Sequence, residues 1–308
     1  MHLAEGTLPI EQAMAWTGAA APALIWSLRG EQGARRDTPA SSIIMSGVTS
    51  LLFAATLLPL PVPVVGATSH ICLTPVLAQM IGIRRIIWPT FFVLLLQAIF
   101  FAHGGLTTLG INTLTLGLLG PAVAVGAWAL LQRLGAGNAY GFGLACGIGG
   151  LSVYVADAAV LSIALSDAAL PFETFRAVLI GFAPVQIPLA VLEAVASVGI
   201  VRLFASRRPE FLPESLVGLR TTSTRGASIL LVSWVSTSLL GCSYEGIDET
   251  VFGETAASAG RPPTESMLDF SQSEIGFSMT LLILFGLGFA AGRSWERILG
   301  EKRDAFPR

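Results

Sequence analysis

Apolar and polar stretches alternate along the chain in nine apolar runs with short polar turns between them. The runs cover residues 10–28, 43–60, 71–83, 86–103, about 112–132, 139–165, 177–203, 227–241 and 276–292. Crossing a bilayer as a helix takes about 20 apolar residues, so most of these runs read as membrane spans. The second run ends in LPLPVPVVG, whose prolines stop a helix. The third is too short to cross as a straight helix. The chain around 66–70 is therefore expected to dip below the outer membrane surface as irregular backbone, packed on protein or lining a polar cavity. RLFASRRPEFLPESLVGLRTTSTR reads as a linker between spans seven and eight. A polar, acidic loop at 242–275 separates the last two.

Composition supports this reading. Of the 308 residues, 53% are hydrophobic and 12% charged, with a mean hydropathy of +0.71. Soluble domains carry about 25% charged residues, so the chain is expected to be an all-α polytopic membrane protein. The net charge of −2 says little, but the distribution of charge says more. With the N-terminus outside and the C-terminus cytoplasmic, all but two of the 18 Lys and Arg residues fall inside, Arg176 and Arg261 being the exceptions. That orientation puts Met1, His2, His70 and His103 at the outer face. The first nine residues, MHLAEGTLP, have no basic leader or apolar run of the kind that makes a signal peptide. Cys72, Cys146 and Cys242 show no spacing that suggests zinc or a disulfide framework. No GxxxxGK[ST], GxSxG or HExxH occurs, so ATP binding through a P-loop and hydrolytic chemistry are not indicated, and the chain is not expected to be an enzyme.

Chemistry concentrates at the outer face. In a chain beginning Met1-His2, the terminal amine, the backbone nitrogen of His2 and its imidazole can close adjacent chelate rings on one metal ion. One more imidazole completes a planar four-nitrogen set of the kind that suits Ni(II) or Cu(II), with Co(II) close behind. His70 sits in GATSHICLTP, where Ser69 and neighbouring hydroxyls can orient a ligating ring; it also reads as an interfacial loop histidine. His103 precedes two glycines in FAHGGLTTLGINT and equally suits a helix end, where it would cap carbonyls. Thr107, Thr108 and Asn112 either orient ligating imidazoles or cap the fifth span, with Asn112 as an N-cap. Asp157 and Glu193 fall inside spans, where acids cost free energy and point to function or to a protonated interhelical hydrogen bond.

The stretches MHxxEGxLP, GxxSH and QAIFFAHGGLTTLGINT followed by GP resemble the CbiM/NikM family, over residues 1–205. These are the substrate-capture membrane subunits of energy-coupling-factor (ECF) importers for cobalt and nickel. The resemblance implies a seven-helix capture bundle. It also implies a metal ion held by the Met1 amine, the His2 main-chain nitrogen and imidazole, and the His70 imidazole. Ser69, His103, Thr107, Thr108 and Asn112 would support these from behind. Ile71-Cys72 follows His70 where Pro-Thr-Gly is the family's usual pattern. The last third, 227–308, resembles the two-span CbiN/NikN subunit fused in line after a cytoplasmic linker at 206–226. Its extracytoplasmic loop carries YEGIDE, with Tyr244, Glu245, Asp248 and Glu249. That loop either concentrates cations or is a solvated connection.

The expectation is thus a substrate-specificity permease subunit of an ECF-type ABC importer in the inner (cytoplasmic) membrane. Seven helices would form the capture bundle and two more the accessory part. Co2+ or Ni2+ would be substrate rather than cofactor, taken up for cobalamin or nickel-enzyme synthesis. Partners would be a transmembrane coupling subunit and two cytosolic ATPase subunits, with no nucleic acid involved. The rival readings are a proton-coupled secondary metal transporter built on Asp157 and Glu193, and a membrane scaffold without transport.

Overall fold

The computed structural model describes residues 3–37, 39–57, 60–62, 67–101, 103–165, 171–221, 245–246, 248–264 and 286. Helices take up the long apolar runs within these residues, as an apolar surrounding demands of a backbone that must satisfy its own hydrogen bonds. Helices α1 (Ile10–Asp37) and α2 (Pro39–Leu57) come first. Strands β1 (Leu60–Val62) and β2 (Ala67–Ser69) follow, then α3 (Thr74–Ile81) and α4 (Ile83–Phe101). Helix α5 (Leu109–Leu114) runs through a π-helical turn, Thr115–Leu119, into α6 (Gly120–Arg133). Helices α7 (Ala139–Leu165) and α8 (Pro171–Arg207) complete the bundle. Among the described residues four segments are long and apolar enough to cross a membrane: α4, Leu109–Arg133, α7 and α8; α2 adds the shorter apolar stretch Ile44–Leu57.

Several details depart from the expected pattern. The all-α expectation misses a small sheet of strand order β1-β2-β3, in which β1 pairs antiparallel with β2. The third strand, β3 (Glu245–Gly246), comes from the loop near the C-terminus and pairs parallel with β2. Residues 67–69, expected as irregular backbone, are therefore an ordered strand. The third apolar run shrinks to the eight residues of α3, with Pro75 in its first turn, where a missing N–H costs nothing. Helix α8 is longer at both ends than the run 177–203, with Pro171 at its start. Beyond Arg207 the chain turns back, and Leu212, Leu216 and Leu219 bury themselves against Val201 and Ala205 of α8. The apolar run 227–241, and 276–292 apart from residue 286, lie outside the described residues.

Two buried apolar clusters organise the packing. One, around Leu52, Phe53, Leu77, Trp128, Phe142 and Val201, fills the bundle between α2, α3, α4, α6, α7 and α8. The other joins Leu3 and Leu8 of the N-terminal segment to Cys72, Ile111, Tyr154, Phe182 and Phe252. In this second cluster the two ends of the described chain meet the bundle. The outward faces of α7 and α8 carry Leu144, Ile163, Ile180, Ile187 and Val191, all exposed, as expected of side chains that meet lipid.

Candidate metal centre

The N-terminal segment is inserted into the bundle rather than laid on its surface. Leu3 is 0% exposed, and Thr7 and Leu8 are buried beside it. Inserting a chain end this way leaves peptide groups in need of partners, since an unmatched buried N–H or C=O is costly. The side chains of α5 and its N-cap supply them. The Leu3 N–H donates to Asn112 Oδ1 at 3.0 Å, and Asn112 Nδ2 donates back to the Leu3 carbonyl at 3.1 Å. Thr108 Oγ1 donates to the same carbonyl at 2.6 Å, and Asn112 Nδ2 also reaches Thr108 Oγ1 at 3.2 Å. One carboxamide thus treats Leu3 as an adjacent strand would. Asn112 is therefore not the N-cap of the fifth span. Thr108 holds that position, without a side-chain capping bond, and Asn112 sits one turn inside α5.

Glu5 ties the same segment to the loop after His103. Its carboxylate accepts the Leu106 N–H at 2.5 Å and the Thr107 N–H at 3.3 Å. The close approach requires Gly105, where an added Cβ would stand 2.7 Å from Glu5 Cα and 2.8 Å from Glu5 N. The HGG sequence is thus a packing surface for the N-terminal segment. The sequence singled out the residues around this contact but gave Glu5 no structural part. Its signal was an acid, with glycine after it, in the otherwise apolar start of the chain.

His70 and His103 are brought together. Helix α3 leads away from His70 and α4 returns towards His103, and their rings meet edge to face with centroids 5.4 Å apart and planes at 68°. His70 is 4% exposed, while His103 is half-buried. Burial lowers the His70 pKa well below 6.5, and the positive charges of the chain's amino terminus and of His103 act in the same direction. The ring is thereby kept neutral, the form in which an imidazole binds a metal. Ser69 is buried and its Oγ accepts a hydrogen bond from Gln186 Nε2 at 3.4 Å. Thr107 Oγ1 is buried with no hydrogen-bond partner among the described residues.

Met1, His2 and Tyr244 lie outside the described residues, and of Glu245, Asp248 and Glu249 the backbone alone is described. Among the described residues no three His, Cys, Asp or Glu side chains cluster to hold a metal ion. Asp157 and Glu193 are both buried within the bundle, on α7 and α8. Glu193 Oε1 accepts the Leu73 N–H at 3.0 Å.

The C-terminal segment comes back to this end of the bundle. Strand β3 extends the sheet at β2, next to His70 in sequence. Phe252 is fully buried against Phe182, with ring centroids 4.3 Å apart. The Thr264 N–H donates to the Glu5 carbonyl at 3.1 Å.

Comparison with known proteins gives the chain its family. The family described as "Cobalt uptake substrate-specific transmembrane region" (CbiM) matches residues 2–211. A cobalt transport protein CbiM of Geobacter sulfurreducens is 30% identical over 315 residues, covering 98% of this chain and 91% of that protein. The CbiM of Sorangium cellulosum is 33% identical over 213 residues, covering 69% of this chain and 94% of its own. In fold, the chain is similar to a truncated transition metal transporter at a TM-score of 0.55 and 19% identity, over 66% of this chain and 97% of that one. Family match and full-length relative together show that the chain is an integral membrane protein belonging to the CbiM family.

Proposed function

We propose that this chain is the substrate-specificity subunit of an ECF-type importer, capturing Co2+ or Ni2+ at the extracytoplasmic face of the inner membrane. Four nitrogens take the ion: the Met1 amine, the His2 backbone nitrogen, the His2 imidazole and the His70 imidazole. Capture exchanges the waters of the aqueous ion for these nitrogens and releases the His2 amide proton. Because the chain offers no P-loop sequence, two cytosolic ATPase subunits and a transmembrane coupling subunit supply the energy. The N-terminus lies outside and the C-terminus inside, in keeping with the distribution of Lys and Arg.

The observation that carries this reading is the grip on Leu3. Asn112 and Thr108 satisfy both of its peptide groups in a fully buried position, so the two residues before it start from a fixed point. A chain end that served no purpose would not need its third residue held by three side-chain hydrogen bonds. His70, neutral and ring to ring with His103, stands at the same end of the bundle.

The domain plan extends this reading, with the same contacts in its support. Residues 1–205 form the capture domain, 206–226 a cytoplasmic linker and 227–308 an accessory two-span domain whose outer loop, 242–275, returns to the site. The Sorangium relative supports a separable capture domain, since it aligns over nearly its own whole length with about two thirds of this chain. The contacts of β3, Phe252 and Thr264 support an accessory loop that acts on the capture domain.

The test is the terminal amine. Protein purified with its native start should retain Co2+ or Ni2+ through gel filtration, measured by elemental analysis. One extra residue before Met1 turns the amine into an amide and should abolish tight binding. A tagged N-terminus that binds as tightly as the native one overturns the ligand set.

A further inference from the structure

Helix α8 turns two buried polar side chains towards the segment that carries His70. Gln186 and Glu193 are seven residues apart, two helical turns, and therefore share a face. Gln186 Nε2 donates to Ser69 Oγ at 3.4 Å, and Glu193 Oε1 accepts the Leu73 N–H at 3.0 Å. Between these two holds, Ile71 packs on Leu189 and Leu192 of the same face. One helix thus fixes residues 69–73 at both ends and in the middle, and His70 lies between the first hold and the second.

Leu73 is where that segment needs an outside partner. Its φ of 53° is left-handed, and among the described residues it alone adopts a positive φ without being glycine. It is also the N-cap of α3, and no side chain of its own turn caps the helix there. Glu193 supplies the missing acceptor from another helix. Gly150 of α7 leaves room for it, since a Cβ there would run into Glu193 Oε2.

We propose that Glu193, with Gln186, is the positioning residue of the metal centre, holding the Leu73 backbone on one side of His70 and the Ser69 side chain on the other so that the imidazole stands ready for an incoming ion. This rests on His70 being a ligand. It gives the acid inside span seven a task other than carrying protons across the membrane, because the carboxylate is engaged by the loop at the outer end of α3.

The test uses the full chain with its native N-terminus in detergent, and Co(II) alone, under argon, as probe. Affinity is read by titration, ligand geometry by the visible absorption band and release by transfer to a chelator. Glu193→Ala should lower Co(II) affinity about 10- to 100-fold, as loss of a group that orients a ligand does, with a shifted band and faster release. Glu193→Gln keeps an oxygen for the Leu73 N–H and should recover most of the affinity. Gln186→Ala should fall between them. If Glu193→Ala fails to fold, Gln186→Ala carries the test, because it leaves Glu193 in place and must still shift the band. Unchanged affinity and band in Glu193→Ala and Gln186→Ala overturn the proposal. A Glu193→Gln protein as weak as Glu193→Ala also overturns it, in favour of a role for the charge alone. His70→Ala separates the two levels: if it binds Co(II) as the native protein does, the ligand assignment is wrong and the positioning role falls with it.

Discussion

His70 is a base that the fold keeps neutral, and this has a measurable consequence. Its pKa lies below the ordinary 6.5 because burial disfavours the charged ring. In the window between that lowered value and 6.5, the unfolded chain binds a proton at His70 that the folded chain does not. Stability therefore rises with pH through this window and is fully present above about 6.5. Metal binding follows a different order. His70 is already neutral at pH 6.5, so it adds no pH dependence above that. On the proposed ligand set, the His2 imidazole, with an ordinary pKa near 6.5, the terminal amine, near 7.7–8.0, and the amide proton released on chelation dominate there. Co2+ affinity should accordingly keep rising from pH 6.5 to pH 8, and His70→Ala should weaken binding without flattening this rise. Titrations at fixed ionic strength check it. A rise that levels off near pH 7.5, where ordinary imidazoles are about 90% neutral, counts against the amine and the amide nitrogen as ligands.

At the scale of elements, the N-terminal segment behaves as a piece of secondary structure whose partners are side chains. Asn112→Ala leaves the buried Leu3 N–H without its acceptor and the carbonyl with Thr108 alone. Each buried group left unmatched costs about 1–3 kcal/mol. The segment should therefore loosen while the bundle stays folded. Hydrogen exchange should show faster exchange at residues 3–8 with little change in α7, and Co2+ affinity should fall. Protection of residues 3–8 equal to that of the native chain would mean the grip is redundant. How legible such elements were differs case by case. Helix α7 matches the run 139–165 end for end, because a 27-residue apolar stretch closed by polar turns has few alternatives. Asn112 suggested an N-cap because local sequence shows its neighbours in the helix and not Leu3, which lies 109 positions away. The strands β1, β2 and β3 are two or three residues long, too short for an alternating pattern to emerge from a proline-rich stretch. Glu193 stood out as an acid among apolar residues, yet its partner Leu73 is 120 positions distant and is engaged through the backbone, which no sequence pattern marks.

For the whole molecule, the question is what the C-terminal third adds to the proposed capture domain, the part of this chain that the Sorangium protein matches over nearly its whole length. Among the described residues its loop touches the bundle at several points, among them β3 against β2, Phe252 against Phe182, and the Thr264 N–H on the Glu5 carbonyl. Two of these reach segments next to proposed ligands, since β2 ends at Ser69 and Glu5 follows the start of the chain. None of the three histidines lies beyond His103, so ligation by imidazole is complete without this third. A protein ending after Arg225 should therefore fold and bind Co2+, because the grip of Asn112 and Thr108 on Leu3 and the hold of α8 on residues 69–73 are all internal to the first 207 residues. Its losses include the β3 pairing, the Phe252 contact and the Thr264 hydrogen bond, which should lower its melting temperature and quicken metal exchange. Uptake of labelled cobalt in cells that supply the coupling and ATPase subunits should fall sharply, since loading of the site would no longer be assisted. Normal uptake by the truncated protein would reduce the C-terminal third to a membrane anchor. Loss of metal binding would instead place a ligand in the loop, and the acids at Glu245, Asp248 and Glu249 would be the first to replace one at a time.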